Sequence, residues 1–241
     1  MIRSFSCKNF RNVFCEDLEF GKINILIGAN NAAKSNFIRA LSFAANMVSN
    51  SKAETTGFLS ELKRNGWNTA VDRHAHDSSF RFVWNLELLK GRSVVYTLCA
   101  NAGKRRDENY IAEESLDSSE AREGALVPYN FLNLPEHNGI SMLAIDEPEM
   151  NLHPAWQKLL AKEILRCQSF KQCFISTHSP DFLDEFTDGF LLGEVGIFVF
   201  DPLSRIPLRK LDIEEMRQEL GEWTLGDLYR IGDPMIGGWP Q

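Results

Sequence analysis

Long apolar runs are missing from this chain. No stretch approaches the roughly 20 residues that a membrane-crossing helix needs, and the N-terminus lacks the pattern of a secretory leader. Both absences point to a cytoplasmic protein with no membrane partner. Cysteine is sparse: the five residues at 7, 15, 99, 167 and 173 are odd in number and show no Cys-x-x-Cys spacing. They read as free thiols of a reducing compartment. A basic excess is absent too. The net charge of −7 argues against a protein that coats nucleic acid over its whole surface, although it leaves room for a local site. The dense basic cluster Lys104-Arg105-Arg106 reads as a solvated loop. Repeats and low-complexity linkers are lacking. The hydrophobic fraction of 44% and charged fraction of 24% are those of an ordinary globular chain, and 241 residues suffice for one α/β domain with a sizeable core.

What is present begins with a lysine. Gly28-Ala29-Asn30-Asn31-Ala32-Ala33-Lys34-Ser35-Asn36 follows the apolar run Ile23-Asn24-Ile25-Leu26-Ile27. It precedes a segment in which Phe37, Leu41, Ala45 and Val48 fall at helical spacing. Strand, loop, Lys-Ser, helix is the context of a phosphate-binding loop. Backbone N–H groups and the helix start cradle phosphates there, and Lys34 supplies a point charge. The Ser35 hydroxyl is a candidate Mg²⁺ ligand. The pattern departs from G-x-x-x-x-G-K-[ST] at Ala33, where glycine would let the backbone approach the phosphate. The bland alternative is a chance Lys-Ser at a strand-to-helix turn.

Two further strand ends support the functional reading. Ser141-Met142-Leu143-Ala144-Ile145 ends in Asp146-Glu147-Pro148. Asp146 would reach a Mg²⁺ shell and Glu147 would face an attacking water as general base. The strand Gln172 to Ser176 ends in Thr177-His178-Ser179-Pro180, and His178 would reach a terminal phosphate. Ligands gather at the carboxyl ends of strands in an open α/β sheet. Any one of these ends alone reads as a solvated turn; the ordered trio does not.

With these motifs the chain resembles an ATPase of the ABC superfamily. The branch is the one that includes RecF, the SMC-like repair proteins and the OLD (overcoming lysogenization defect) ATPases. Lys8-Asn9-Phe10-Arg11 resembles its first strand, Gly28 to Asn36 its Walker A motif, and Leu143 to Glu147 its Walker B motif. Glu149 and Asn151-Leu152-His153-Pro154 continue into a D-loop, and Ser176 to Pro180 resembles the switch-histidine motif. The resemblance implies an α/β P-loop NTPase fold with an ABC-type mixed central sheet, an antiparallel side sheet and a reduced helical lobe. It implies one ATPase domain over residues 1–241, with the side-sheet hairpin and reduced lobe in 50–138. It implies ATP and Mg²⁺ as ligands. Arg11, Asn30, Asn31, Ala32, Ala33, Lys34, Ser35 and Asn36 would contact the nucleotide, Ser35 and Asp146 the metal, and Glu147 and His178 would be catalytic.

The family signature that binds the opposite subunit's ATP has a degraded candidate in Leu116 to Arg122. Its serines are Ser118 and Ser119, and Glu120 stands where glycine is expected. A carboxylate there would repel a γ-phosphate. The family's Q-loop glutamine is missing, since no glutamine lies between Lys34 and Gln157.

Three function classes follow. The first is an ATPase that forms a homodimer or higher homo-oligomer around ATP and drives a separate effector. The effector would be a nuclease of TOPRIM or HNH type, acting in anti-phage defence or DNA transactions. Nucleic acid is a conceivable further partner. The chain ends about sixty residues after His178, too soon for a nuclease domain of its own. The second class is a nucleotide-gated scaffold that hydrolyses poorly. The third, a transporter's ATP-binding subunit, is opposed by the poor signature, the absent Q-loop and Leu152-His153-Pro154.

The remaining chain reads coarsely. Residues 2–27 are strands with turns at Glu16-Asp17 and Gly21; 35–49 form a helix; 50–78 are irregular. Phe80, Phe82, Trp84, Leu86 and Leu88 alternate with polar residues as a half-buried strand, which Lys90-Gly91-Arg92 turns into Val94–Leu98. Residues 101–138 are turn-rich, with a short helix near 119–127. Pro154 starts a helix whose face of Trp156, Leu159, Leu160 and Ile164 is expected in the core. Gly196–Phe200 is a strand, and 212–220 and 223–231 are helices. The Gly- and Pro-rich tail from Gly232 needs something to pack on. His74-Ala75-His76-Asp77 has zinc-ligand chemistry but no evident fourth ligand, and reads as a loop.

Overall fold

The computed structural model describes residues 1–29, 32–49, 57–64, 66, 69–72, 78–87, 93–102, 109–118, 140–201 and 207–237. They divide into two compact units. One holds Met1–Glu19 and Asn36–His137, the other Phe20–Ser35 and Asn138–Gln241.

In the first unit, β1 (Ile2–Phe10), β2 (Val13–Glu19), β4 (Ser79–Glu87), β5 (Ser93–Asn101) and β6 (Tyr110–Ser118) form an antiparallel sheet, ordered β2-β1-β4-β5-β6. The alternation of Phe80, Phe82 and Trp84 puts these rings on one buried face, while Arg81 between them stays exposed. The turn between β1 and β2 falls at Arg11-Asn12, not at Glu16-Asp17. Asn9 and Arg11 adopt positive φ of 60° and 53° there. Asp17 also has positive φ, 44°, but its N–H donates to Ser6 Oγ at 2.8 Å, so the strand kinks and continues.

Helix α1 (Lys34–Ser49) lays Phe37 and Phe43 on this face. Phe37 meets Phe5 edge-on at 5.9 Å, and Phe43 meets Phe10 at 5.8 Å and Phe80 at 5.6 Å. Each such pair contributes about 0.5–1.5 kcal/mol beyond its buried area. Trp84 Nε1 donates to Leu41 O at 3.3 Å, which pairs the indole N–H of a buried ring. Residues 50–78 are less irregular than expected, because α2 (Gly57–Arg64) buries Phe58 and Leu62 at i, i+4 spacing. Gly57 runs so close to α1 that a Cβ would sit 1.6 Å from Met47 O. Among the described residues α2 is the one helix between α1 and β7. The turn-rich reading of 101–138 is likewise corrected by β6, which pairs with β5 from Asn101↔Tyr110 to Val94↔Ser118. The expected helix near 119–127, the turn at 90–92, the basic cluster at 104–106 and the His74-to-Asp77 segment lie outside the described residues.

In the second unit, β3 (Ile23–Gly28), β7 (Ile140–Asp146), β8 (Phe170–Ser176) and β9 (Val195–Phe200) run parallel. β10 (Leu208–Lys210) adds an antiparallel edge, in the order β10-β9-β3-β8-β7. β3 and β9 are buried at every residue, which their mainly apolar runs anticipate for strands covered on both faces; the one polar residue, Asn24 of β3, donates to Gly21 O and Cys173 O, both at 3.0 Å. The helices are α3 (Pro154–Arg166), α4 (Pro180–Asp184), α5 (Thr187–Leu191), α6 (Ile213–Leu220) and α7 (Leu225–Ile231). Pro154 does open α3, and His153 Nδ1 caps it by accepting from Ala155 N–H at 3.3 Å. The apolar face of α3 splits, contrary to expectation: Ile164 is buried, but Trp156 is 63% and Leu159 46% exposed. The tail finds its packing surface within the unit, where Ile236 is fully buried.

No described helix is long and apolar enough to cross a membrane. The five cysteines are free thiols.

Candidate functional site

Strands β3, β8 and β7 are neighbours, so parallel pairing brings their carboxyl ends together. Each end delivers one of the chemical groups anticipated from the sequence. Gly28 closes β3 with φ of 139°, and a Cβ there would lie 2.2 Å from Phe200 O. Glycine is therefore required twice, for the backbone angle and for the approach to β9. Asn30 and Asn31 lie outside the described residues. Ala32 and Ala33 are buried. Ala33 has φ of 80°, a left-handed conformation that disfavours any residue with a Cβ. The departure from glycine at this position is thus a backbone cost, independent of any phosphate.

Lys34 opens α1 and folds back. Its Nζ donates to Gly28 O and Ala29 O, both at 3.0 Å. The side chain is buried, and that burial pushes its pKa down to about 8, against the pull of Glu147, Asp146 and Glu149. The ammonium is held on its own loop, beside three carboxylates. Ser35, next in the helix, is half-buried.

Asp146 ends β7, exposed, and Ser176 Oγ from the end of β8 donates to its Oδ1. Glu147 follows with φ of 49°. That strained geometry is fixed by its own N–H, which donates to Ser176 O at 3.1 Å and Ser176 Oγ at 3.0 Å. Its carboxylate reaches His178, with Nε2 to Oε1 at 3.3 Å. Burial, and then the Lys34 charge, hold the His178 pKa below its ordinary value, against Glu147, Glu149 and Asp146.

Sequence reasoning gave no task to two residues that the structure places here. Glu149 is buried, and its Oε1 accepts from Thr177 Oγ1 and from His178 N–H, both at 2.7 Å. It ties the turn after β7 to the loop that carries His178. A third carboxylate two residues past Glu147 was the available signal. Tyr229 comes from α7, fifty-one positions beyond His178. Its hydroxyl donates to Gly28 O at 3.4 Å and lies 3.5 Å from His178 Nδ1, and burial pushes its pKa up to about 12. Nothing local in the sequence marks it.

Other expected site residues belong to the first unit or lie outside the described residues. Arg11 Nη1 donates to Asn36 Oδ1 at 3.0 Å, and Asn36 Nδ2 donates to Asn12 Oδ1 at 2.7 Å. Ser118 closes β6 opposite Val94 as a strand residue. Ser119 and Glu120 lie outside the described residues.

The donors suited to a divalent cation are hard oxygens, the Ser35 hydroxyl and the Asp146 carboxylate. Among the described residues no group of three or more His, Cys, Asp or Glu side chains is arranged to hold a metal.

Comparisons with known proteins bear on the fold. Residues 121–184 match the family described as "AAA domain, putative AbiEii toxin, Type IV TA system". A segment of 58 residues is 38% identical to Endonuclease GajA of Bacillus cereus (strain VD045), covering 24% of this chain and 10% of that protein. Among solved structures, an SMC head bound to the C-terminal winged-helix domain of ScpA aligns over 90% of this chain and 99% of its own. Its TM-score is 0.60, at 10% identity. RecF with ATP aligns over 68% of this chain and 39% of its own, with a TM-score of 0.36 at 14% identity. The mixed sheet and the antiparallel sheet make this an α/β chain, and its fold is like that of the SMC head.

Proposed function

We propose that this chain binds and hydrolyses ATP, dimerises around it, and through that cycle controls a separate nuclease or other effector. The observation that carries this reading is the convergence of Lys34, Asp146, Glu147 and His178 at three adjacent parallel strand ends. Lys34 is already charged and needs only to leave the carbonyls of Gly28 and Ala29 to meet a phosphate. Ser35 and Asp146 would hold Mg²⁺, which neutralises phosphate charge when bound. Glu147 accepts the proton of the attacking water. His178, whose Nε2 lies 3.3 Å from Glu147 Oε1, keeps that carboxylate oriented. Dimerisation is supported by an exposed apolar strip next to the site: Met150 and Trp156 are each 63% exposed, Leu159 46% and Leu152 37%. The nuclease effector is supported by the short match to an endonuclease, and the setting in anti-phage defence rests on the resemblance to the OLD branch alone.

Glu147→Gln tests the reading, because it keeps shape but removes proton acceptance. ATP should still bind while turnover falls by roughly 10²- to 10⁴-fold, and light scattering should show an ATP-dependent mass increase. If the wild type has no turnover and the variant changes neither mass nor effector output, the ATPase reading fails. The scaffold reading then stands. Its specific support is the set of departures from the family pattern: Ala33 in place of glycine, Glu120 in the signature candidate and the absent Q-loop glutamine.

A further inference from the structure

The backbone just before His178 is pinned to neighbouring strand ends. Thr177 N–H donates to Leu26 O of β3 at 3.0 Å, and Ser176 O and Oγ both accept from Glu147 N–H. The N–H of His178 itself goes to a side chain, Glu149 Oε1, at 2.7 Å. We propose that Glu149 is a positioning residue for His178: as a hydrogen-bond acceptor it fixes the main chain from which the imidazole reaches Glu147. The consequence for turnover rests on the ATPase reading; the geometry does not.

Three observations support it. The first is how the carboxylate is delivered. Met150 N–H donates to Glu147 O at 3.1 Å and Leu152 N–H to Glu149 O at 2.9 Å, so the chain after β7 turns back toward the end of β8. The second is that every proton in the contact is accounted for. Thr177 Oγ1 accepts from Ser179 N–H at 3.0 Å and gives its own proton to Glu149 Oε1 at 2.7 Å. One oxygen thus accepts two short bonds in a side chain that is 8% exposed, which is the strong, charge-assisted kind of contact. The third is that one turn holds His178 at two points. Glu149 takes its backbone, and Glu147 Oε1 lies 3.3 Å from its ring Nε2. Gln157 does not duplicate this. Its Nε2 donates to Leu152 O at 2.9 Å and its Oε1 accepts from Ser179 Oγ, so it secures the loop one residue beyond His178.

The other oxygen of Glu149, Oε2, is buried and has no hydrogen-bond partner among the described residues. A glutamine can therefore keep its oxygen at the Oε1 position and put its nitrogen at the other without displacing a bond. Acceptance and charge are separable at this residue.

The test pairs Glu149→Gln, which keeps the acceptor and removes the charge, with Glu149→Leu, which keeps the bulk and removes the acceptor. The nucleotide-free protein is read first, by nitrogen-15 NMR with histidine labelled, and His178 is assigned by its loss in His178→Gln. In the wild type the His178 amide should be protected from exchange by roughly tenfold or more. Glu149→Gln should keep that protection and Glu149→Leu should lose it. An unprotected His178 amide in the wild type, or an unchanged one in Glu149→Leu, overturns the proposal. In turnover assays Glu149→Leu should lower kcat by roughly ten- to a hundredfold at unchanged KM for ATP, as a misplacement of about 1 Å does. Glu149→Gln should stay within roughly fivefold of the wild type. If Glu149→Gln is as inactive as Glu149→Leu, Glu149 acts through its charge and the proposal falls. Melting curves check that the fold persists. If Glu149→Leu does not fold, the wild-type amide and the turnover of Glu149→Gln still decide. Absence of turnover in the wild type sinks the ATPase reading alone, because the exchange measurement still decides on Glu149.

Discussion

Lys34 carries the sharpest electrostatic expectation at the scale of single residues. Burial has pushed its pKa down to about 8. Phosphate binds the protonated form and raises the pKa in the complex. Affinity for ATP should therefore be flat below that value and fall by up to about tenfold per pH unit above it. Calorimetry at pH 7 and pH 9 reads this directly. Lys34→Arg, charged throughout, should flatten the profile. Lys34→Ala should cost roughly ten- to a hundredfold in affinity at pH 7, since charge-assisted contacts contribute about 1.5–3 kcal/mol each. Ala33 supplies a second residue-scale expectation. Its φ of 80° costs an L-residue about 1–2 kcal/mol. Glycine relieves that strain but adds unfolded-state freedom worth about 0.4–1 kcal/mol. Ala33→Gly should raise stability by about 0.5–1 kcal/mol in urea melts, with nucleotide absent. A loss of stability would mean that the left-handed geometry is not the native one.

At the scale of elements, the site depends on how tightly short helices are held. Helix α7 has seven residues and little intrinsic stability. It persists because Thr224 caps it, Thr224 Oγ1 donates to Asp184 Oδ1, and Gly226 lets it approach α4. A Cβ at Gly226 would lie 2.3 Å from Pro180 O, a backbone atom that cannot swing aside. Gly226→Ala should thus destabilise the protein by more than Thr224→Ala. The latter should cost about 1–2 kcal/mol as a lost cap. Chemical denaturation ranks the two, and the reverse order would show that the approach of α7 to α4 is loose. The same scale explains what was misjudged from sequence. Helix α2 was hidden because Phe58 and Leu62 make only one apolar i, i+4 pair in polar surroundings. β6 was hidden because Glu113, Glu114 and Asp117 look like loop residues until β5 pairs with them. A strand at the sheet edge tolerates charge that a central strand would not.

At the scale of the whole molecule, the exposed strip of Met150, Leu152, Trp156 and Leu159 is the feature that a monomer does not explain. Under the proposed function it is covered when two chains close on ATP. Trp156→Glu should abolish the ATP-dependent mass increase of the Glu147→Gln protein and leave its ATP affinity unchanged. An undiminished mass increase would place the dimer surface elsewhere. The acidic net charge of −7 sets a complementary limit: any nucleic-acid contact must be local.

The sequence by itself determined the strand-loop-helix at Gly28 to Ser35, the two strand ends at Asp146 and Ser176, and the hairpin of β4 and β5. Each of these is written in contiguous residues, as an apolar run, an alternation or a turn. Only the tertiary structure decided the rest. Parallel pairing in the order β3-β8-β7 puts three distant strand ends side by side, and no local pattern encodes that order. The expected core face of α3 proved half exposed because periodicity shows which residues share a face, not what lies against it. Glu149 acquired its partners through a turn and a neighbouring strand, and Tyr229 through a helix anchored on α4. Hydrogen bonds between residues far apart in the chain require that the chain first be folded, and no periodicity announces them.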